Sequence, residues 1–127
     1  MKKVFISVPM SGRKNEDIAK DIVEAMEAVK NSSFFKGEEI EFVHNLHCKL
    51  PSDYESNGMK KTSLWYLGEA IKSLSYCDAC YFVPGWDKSS GCFIECEICL
   101  AYDVDRYTID QNNVVVKSDI SGGRAEL

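Results

Sequence analysis

Two hydrophobic rhythms alternate along this chain, and their order predicts its architecture. Lys3 to Val8 (KVFISV) is an apolar, β-branched run closed by Pro9, the pattern of a buried strand. From Glu16 to Lys30 the period lengthens. Ile18, Ile22, Met26 and Val29 recur at helical spacing with Ala25 beside them, while Glu24, Glu27 and Lys30 fall on other faces. This predicts a helix with Asn15 as N-cap and Glu16 and Asp17 in the first turn, where the helix dipole favours acids. A polar connection containing Gly37 leads to a second short strand, Ile40 to Val43. A helix capped by Ser63 carries Leu64, Leu67, Ile71 and Leu74 on one stripe. Ala79 to Val83 (ACYFV) is a third buried strand, broken by Pro84-Gly85. A third helix is predicted from Cys92 to Tyr102 and a last strand from Asn113 to Lys117, ahead of a Ser121-Gly122-Gly123 tail expected to fray.

Strands alternating with helices predict an α/β fold, a three-layer Rossmann-like sandwich with a short parallel sheet of four or five strands. Right-handed crossovers then bring the loops after each strand to one edge of the sheet. A ligand crevice is expected there, where strand order reverses, walled by Pro9 to Arg13 and Pro84 to Gly91. His44 to Thr62 has no clean period and is long for a connection, which suits a lid or binding loop.

Composition narrows the partners. With 127 residues the chain suits one domain, 1–127, and at 45% hydrophobic and 28% charged it can bury a real core. Its apolar runs are too short to cross a bilayer. The start, Met1-Lys2-Lys3 and then Val4 to Met10, has a signal-like outline, but no small-residue cleavage site follows, so a cytoplasmic protein is expected. Net charge is −5 with acids spread along the chain and no basic stripe, which argues against nucleic acid as the partner. A small anion remains compatible, because one Arg and a helix N-terminus can hold a phosphate locally.

Four groups of residues offer chemistry. Ser7-Val8-Pro9-Met10-Ser11-Gly12-Arg13 joins a strand to a helix. Ser11 and Gly12 allow close backbone approach, and Arg13 places a guanidinium near the helix start. It is neither a Walker loop nor Gly-x-Gly-x-x-Gly, and an ordinary strand-to-helix turn explains it equally. Gly85 to Glu95 (GWDKSSGCFIE) feeds a helix whose first turn presents Ser89, Ser90 and the amide of Gly91 to an anion. Glu95 lies about one turn further in as a nucleophile or base. The plainer alternative is a helix with a favourable acid near its N-terminus. The six cysteines, Cys48, Cys77, Cys80, Cys92, Cys96 and Cys99, include three on one helical face and one inside an apolar strand. That placement suits core packing better than a metal knuckle or a disulfide framework. His44 and His47 read as loop residues near Cys48.

Three stretches together resemble the nucleoside 2-deoxyribosyltransferase superfamily, and most closely its small bacterial and phage branch, the DUF4406 domain. They are VFISVPMSGR (4–13), WYLGEAIKSLSYCDACYFVPGW (65–86) and SSGCFIECEICLAY (89–102). The resemblance implies a flavodoxin-like fold and a catalytic Glu in a Gly-x-x-x-Glu pattern, here Gly91 to Glu95. In the family this carboxylate displaces a base from the anomeric carbon, and water or a second base resolves the glycosyl-enzyme, as in a retaining displacement. A phosphate-contacting Ser precedes that Glu by six residues in the monophosphate hydrolases, matching Ser89, and their Gly-Arg pair matches Gly12-Arg13. One position departs. Active relatives place an Asp where this chain has Ala70; Glu69 is adjacent but turned by about 100° around the helix.

The function expected from these residues is cleavage or transfer at an N-glycosidic bond of a nucleoside or nucleoside 5′-monophosphate. Glu95 is the expected nucleophile and Asp87 its partner acid. Ser89, Ser90, Gly91, Gly12 and Arg13 would hold the phosphate, Ser7, Met10 and Trp86 would line the sugar or base, and Ser11 counts among the substrate-binding residues. No cofactor or metal is required by this scheme. The resemblance also implies a homodimer or higher homo-oligomer. A non-catalytic nucleotide-binding module of the same fold is the rival, supported by Ala70.

Overall fold

A computed structural model describes residues 1–118. Strand β1 (Lys2–Ser7) lies between β2 (Ile40–Val43) and β3 (Ala79–Phe82), parallel to both. Strand β4 (Asp105–Ile109) continues the parallel order beside β3, and β5 (Val115–Ser118) closes the edge antiparallel to β4. The five-stranded order is β2-β1-β3-β4-β5, and strand order reverses between β1 and β3.

The period of two in each strand sorts side chains onto two cores. Val4, Ile6 and Val8 join Ala79, Tyr81 and Val83 on one face, covered by helix α1 (Asn15–Lys30) through Ile18, Ile22, Ala25 and Val29. Phe5, Cys80 and Phe82 face the other way, beneath helices α2 (Thr62–Leu74) and α3 (Ser90–Ala101), and pack on Ala70, Leu74, Cys96 and Cys99. Helices on both faces of a mostly parallel sheet make a three-layer, flavodoxin-like α/β fold, as the alternating rhythms predict. No helix among the described residues is long and apolar enough to cross a membrane.

Several details differ from the sequence reading. Strand β4 was not anticipated, because Asp105 and Arg106 interrupt its apolar character; Arg106 is nevertheless buried. The expected last strand is present, but it returns antiparallel through a tight hairpin. There Asp110 Oδ1 accepts the Asn112 and Val114 amides at 2.8 and 3.0 Å, and Asn113 adopts φ +60°. The α1 N-cap is Lys14 rather than Asn15, and the α2 N-cap is Lys61 rather than Ser63, neither with a side-chain cap. The α2 stripe is also rotated. Leu74 and Ala70 are buried at 3% exposure, whereas Leu64 is 62% exposed. Small Ala70 lets the helix settle on the sheet along Ala70 and Leu74, so that of the predicted stripe its C-terminal leucine is buried and Leu64 is left out. The Ser121-Gly122-Gly123 tail lies outside the described residues.

Candidate active site

The β1–β3 reversal point is built first by hydrogen-bond register. Ser7 pairs with Phe82, and the Val83 amide donates to the Ser7 carbonyl at 3.0 Å, so both strands end side by side. Ser7 follows Phe5 in parity and therefore points toward α3. Helix α3 begins at Ser90, two residues before the position read from the sequence, with Ser89 as N-cap and its Oγ accepting the Cys92 amide at 3.5 Å. Cys92, Glu95, Cys96 and Cys99 then share the inward face, at helical spacing. These are small or slender side chains, whereas bulky Phe93 and Ile94 point outward.

Glu95 is consequently buried above the end of β1, with 8% of its surface exposed, and Ser7 Oγ donates to its Oε1 at 2.5 Å. Burial disfavours the carboxylate and lifts its pKa to about 7, although the Ser7 hydrogen bond pulls the other way. A carboxyl so poised changes charge near neutrality, which suits either proton transfer or nucleophilic attack. Cys92 lies against the same pair. Burial raises its thiol, while hydrogen bonds from Ser7 and Ser89 oppose the shift. Trp86 packs on Phe82 with ring centroids 5.3 Å apart, half-buried against the α2- and α3-side core.

The other expected site residues are placed elsewhere. Met10 shares the parity of Val8 and packs into the α1-side core. Arg13 is latched: its Nη1 donates to the Pro9 carbonyl at 2.8 Å and its Nη2 to Asp21 Oδ2 on α1 at 2.6 Å. Ser11 and Gly12 are exposed at the tip of the turn, with Gly12 at φ +73°, a value that favours glycine. Asp87 lies in a short 3-10 turn, Trp86–Lys88. Together with Lys88, Ser89, Ser90, Phe93 and Ile94 it lines an open depression of about 410 Å³ on the outer side of α3. Glu95 does not line that depression. Gly91 sits in the first turn, half-buried. Ala70 is buried, and neighbouring Glu69 turns aside to pair with Lys72 at 2.7 Å.

Sequence reasoning missed Cys92 as a companion of Glu95, having read it as packing alone. The available signal was its position three residues before Glu95 on the same helical face. His44 and His47 stack edge to face at 6.1 Å, and burial lowers the His44 pKa, with His47 adding to the effect. No group of three or more His, Cys, Asp or Glu among the described residues is placed to hold a metal ion. Comparison with protein-family models, curated proteins and solved structures gives no significant match.

Proposed function

We propose that this chain cleaves or transfers the N-glycosidic bond of a nucleoside or nucleoside 5′-monophosphate, with Glu95 as nucleophile. The observation that carries this reading is the buried Ser7–Glu95 pair at the point where strand order reverses. In the reaction, a Glu95 oxygen bonds to the anomeric carbon as the bond to the base breaks, and the departing base takes up a proton from water. Water or a second base then displaces the carboxylate. Ser7 aims one carboxyl oxygen, leaving the other for the sugar. An oxocarbenium-like centre passing over Glu95 favours its ionised form and offsets the desolvation that otherwise protonates it.

Phosphate recognition on this reading uses the first-turn amides and hydroxyls of α3 at Ser89, Ser90 and Gly91. Arg13 joins them only by exchanging Asp21 for the ligand. A reducing compartment such as the cytoplasm suits six unpaired thiols. Exposed Leu64, Tyr66, Phe93 and Ile94 on α2 and α3 are consistent with a homodimer that buries them.

The second reading, a nucleotide-binding module without turnover, is favoured by two observations. Ala70 stands where active members of the family it resembles carry an acid, and Asp87 lines a surface depression that Glu95 does not reach. Incubating the protein with deoxynucleosides and their monophosphates and assaying free base by chromatography separates the two. Base release that vanishes in Glu95→Ala supports the glycosidase. Binding without release, unchanged in Glu95→Gln, supports the module.

A further inference from the structure

On the opposite face of the sheet from Glu95, α1 does not seal against the ends of β3 and β4. A groove of about 270 Å³ remains, floored by Ala25, Ala28, Val83 and Ile109 and rimmed by Asp21, Glu24 and Asn113. Small Ala25 and Ala28 on α1 keep it open. Tyr81 also lines it. Its side chain is 2% exposed, and its hydroxyl makes no hydrogen bond with any described residue. The phenol oxygen is not sealed off, so its free hydrogen-bonding capacity is open to a ligand in the groove. The rim is anionic: Glu24 has no ion-pair partner among the described residues, and Asp21 has only Arg13. The Asn113 end is held by the hairpin, through Asp110.

We propose that this groove binds a small organic amine, with its apolar body on the alanine floor, a polar atom on the Tyr81 hydroxyl and its ammonium at Glu24 and Asp21. The inference does not rest on the glycosidase reading: the groove opens on the other face of the sheet, none of its side chains hydrogen-bonds to Glu95 or Ser7, and Val83 meets Ser7 only through its backbone amide. The volume admits one aromatic ring with a short side arm, and the carboxylate rim selects for positive charge.

Tyramine is the probe, titrated into the full chain by isothermal calorimetry and by NMR shift mapping. Saturable binding is expected, with shifts centred on Ala25, Ala28 and Tyr81. Tyr81→Phe should weaken it about three- to tenfold, the loss of one hydrogen bond. Glu24→Gln should weaken it similarly, and Ala28→Leu, which fills the groove, should abolish it. 4-Hydroxyphenylacetate, which keeps the phenol but carries the opposite charge, should bind far more weakly. Absence of saturable binding overturns the proposal, as does binding unaffected by Ala28→Leu or equal affinity for 4-hydroxyphenylacetate. Should Ala28→Leu fail to fold, the exposed-rim substitution Glu24→Gln decides alone, and unchanged affinity in it rejects the site.

Discussion

Glu95 titrates near 4.5 in the unfolded chain but near 7 in the fold. Between those values the folded state holds a proton that the unfolded state has released. The stability this provides is full below about 4.5 and is lost as pH rises through about 7, in total about 3 kcal/mol. Glu95→Gln keeps an acceptor for Ser7 and removes the charge. It should therefore be more stable than the natural chain by about 1–3 kcal/mol at pH 8, with the gap closing at pH 5, as read by urea unfolding at both values. Activity should run the opposite way: kcat/KM for base release should climb with a midpoint near 7 as the carboxylate forms, and a falling profile there would reject Glu95 as nucleophile. At the same scale, Asp21→Asn releases the Arg13 guanidinium. Affinity for a nucleoside monophosphate should rise about two- to fivefold, with no change for the corresponding nucleoside. The convergence of Glu95 and Ser7 was legible because strand and helix periods aim them at one another. The packing of Met10 on the α1-side core was legible too, from the same strand parity. The Arg13–Asp21 latch joins residues eight apart in sequence, from the turn after β1 into α1, and no local pattern announces it.

At the scale of elements, β1, α1, β2 and β3 were readable because each carries one clean hydrophobic period and ends at Pro, Gly or a polar turn. Helix α2 was readable as a helix but not in its rotation, since its leucines and aromatics supply apolar groups on more than one side. The consequence is measurable. Leu74→Ala should cost about 2–5 kcal/mol by opening a cavity over Phe5 and Cys80, whereas Leu64→Ala should change the stability of the monomer by less than about 0.5 kcal/mol. Chemical denaturation of the two variants tests the assignment directly. Strand β4 escaped notice for a different reason. A buried arginine, whose Nη1 donates to Cys96 Sγ at 3.3 Å, occupies a position where an apolar side chain is the usual strand signal.

Across the whole molecule, β1 and β3 are paired on both edges and covered on both faces, whereas β2 and β5 are edge strands. Hydrogen exchange should be slowest at the amides of Val4 to Ser7 and Ala79 to Phe82 and fastest in the 44–61 loop, with the two edge strands between. The reversal point therefore rests on the most protected part of the sheet, which suits a site that must hold one carboxyl in a fixed direction.

The hairpin that replaces a last crossover has a practical result. Because β4 runs parallel to β1 and β3, its turn emerges on the same edge as their ends, with Gln111 and Asn112 facing solvent. Extra residues spliced between those two would lengthen a peripheral arm beside the α1-side groove that Asn113 lines, without altering the ladder behind it. The scaffold thus carries an exposed position at which an arm can be grafted.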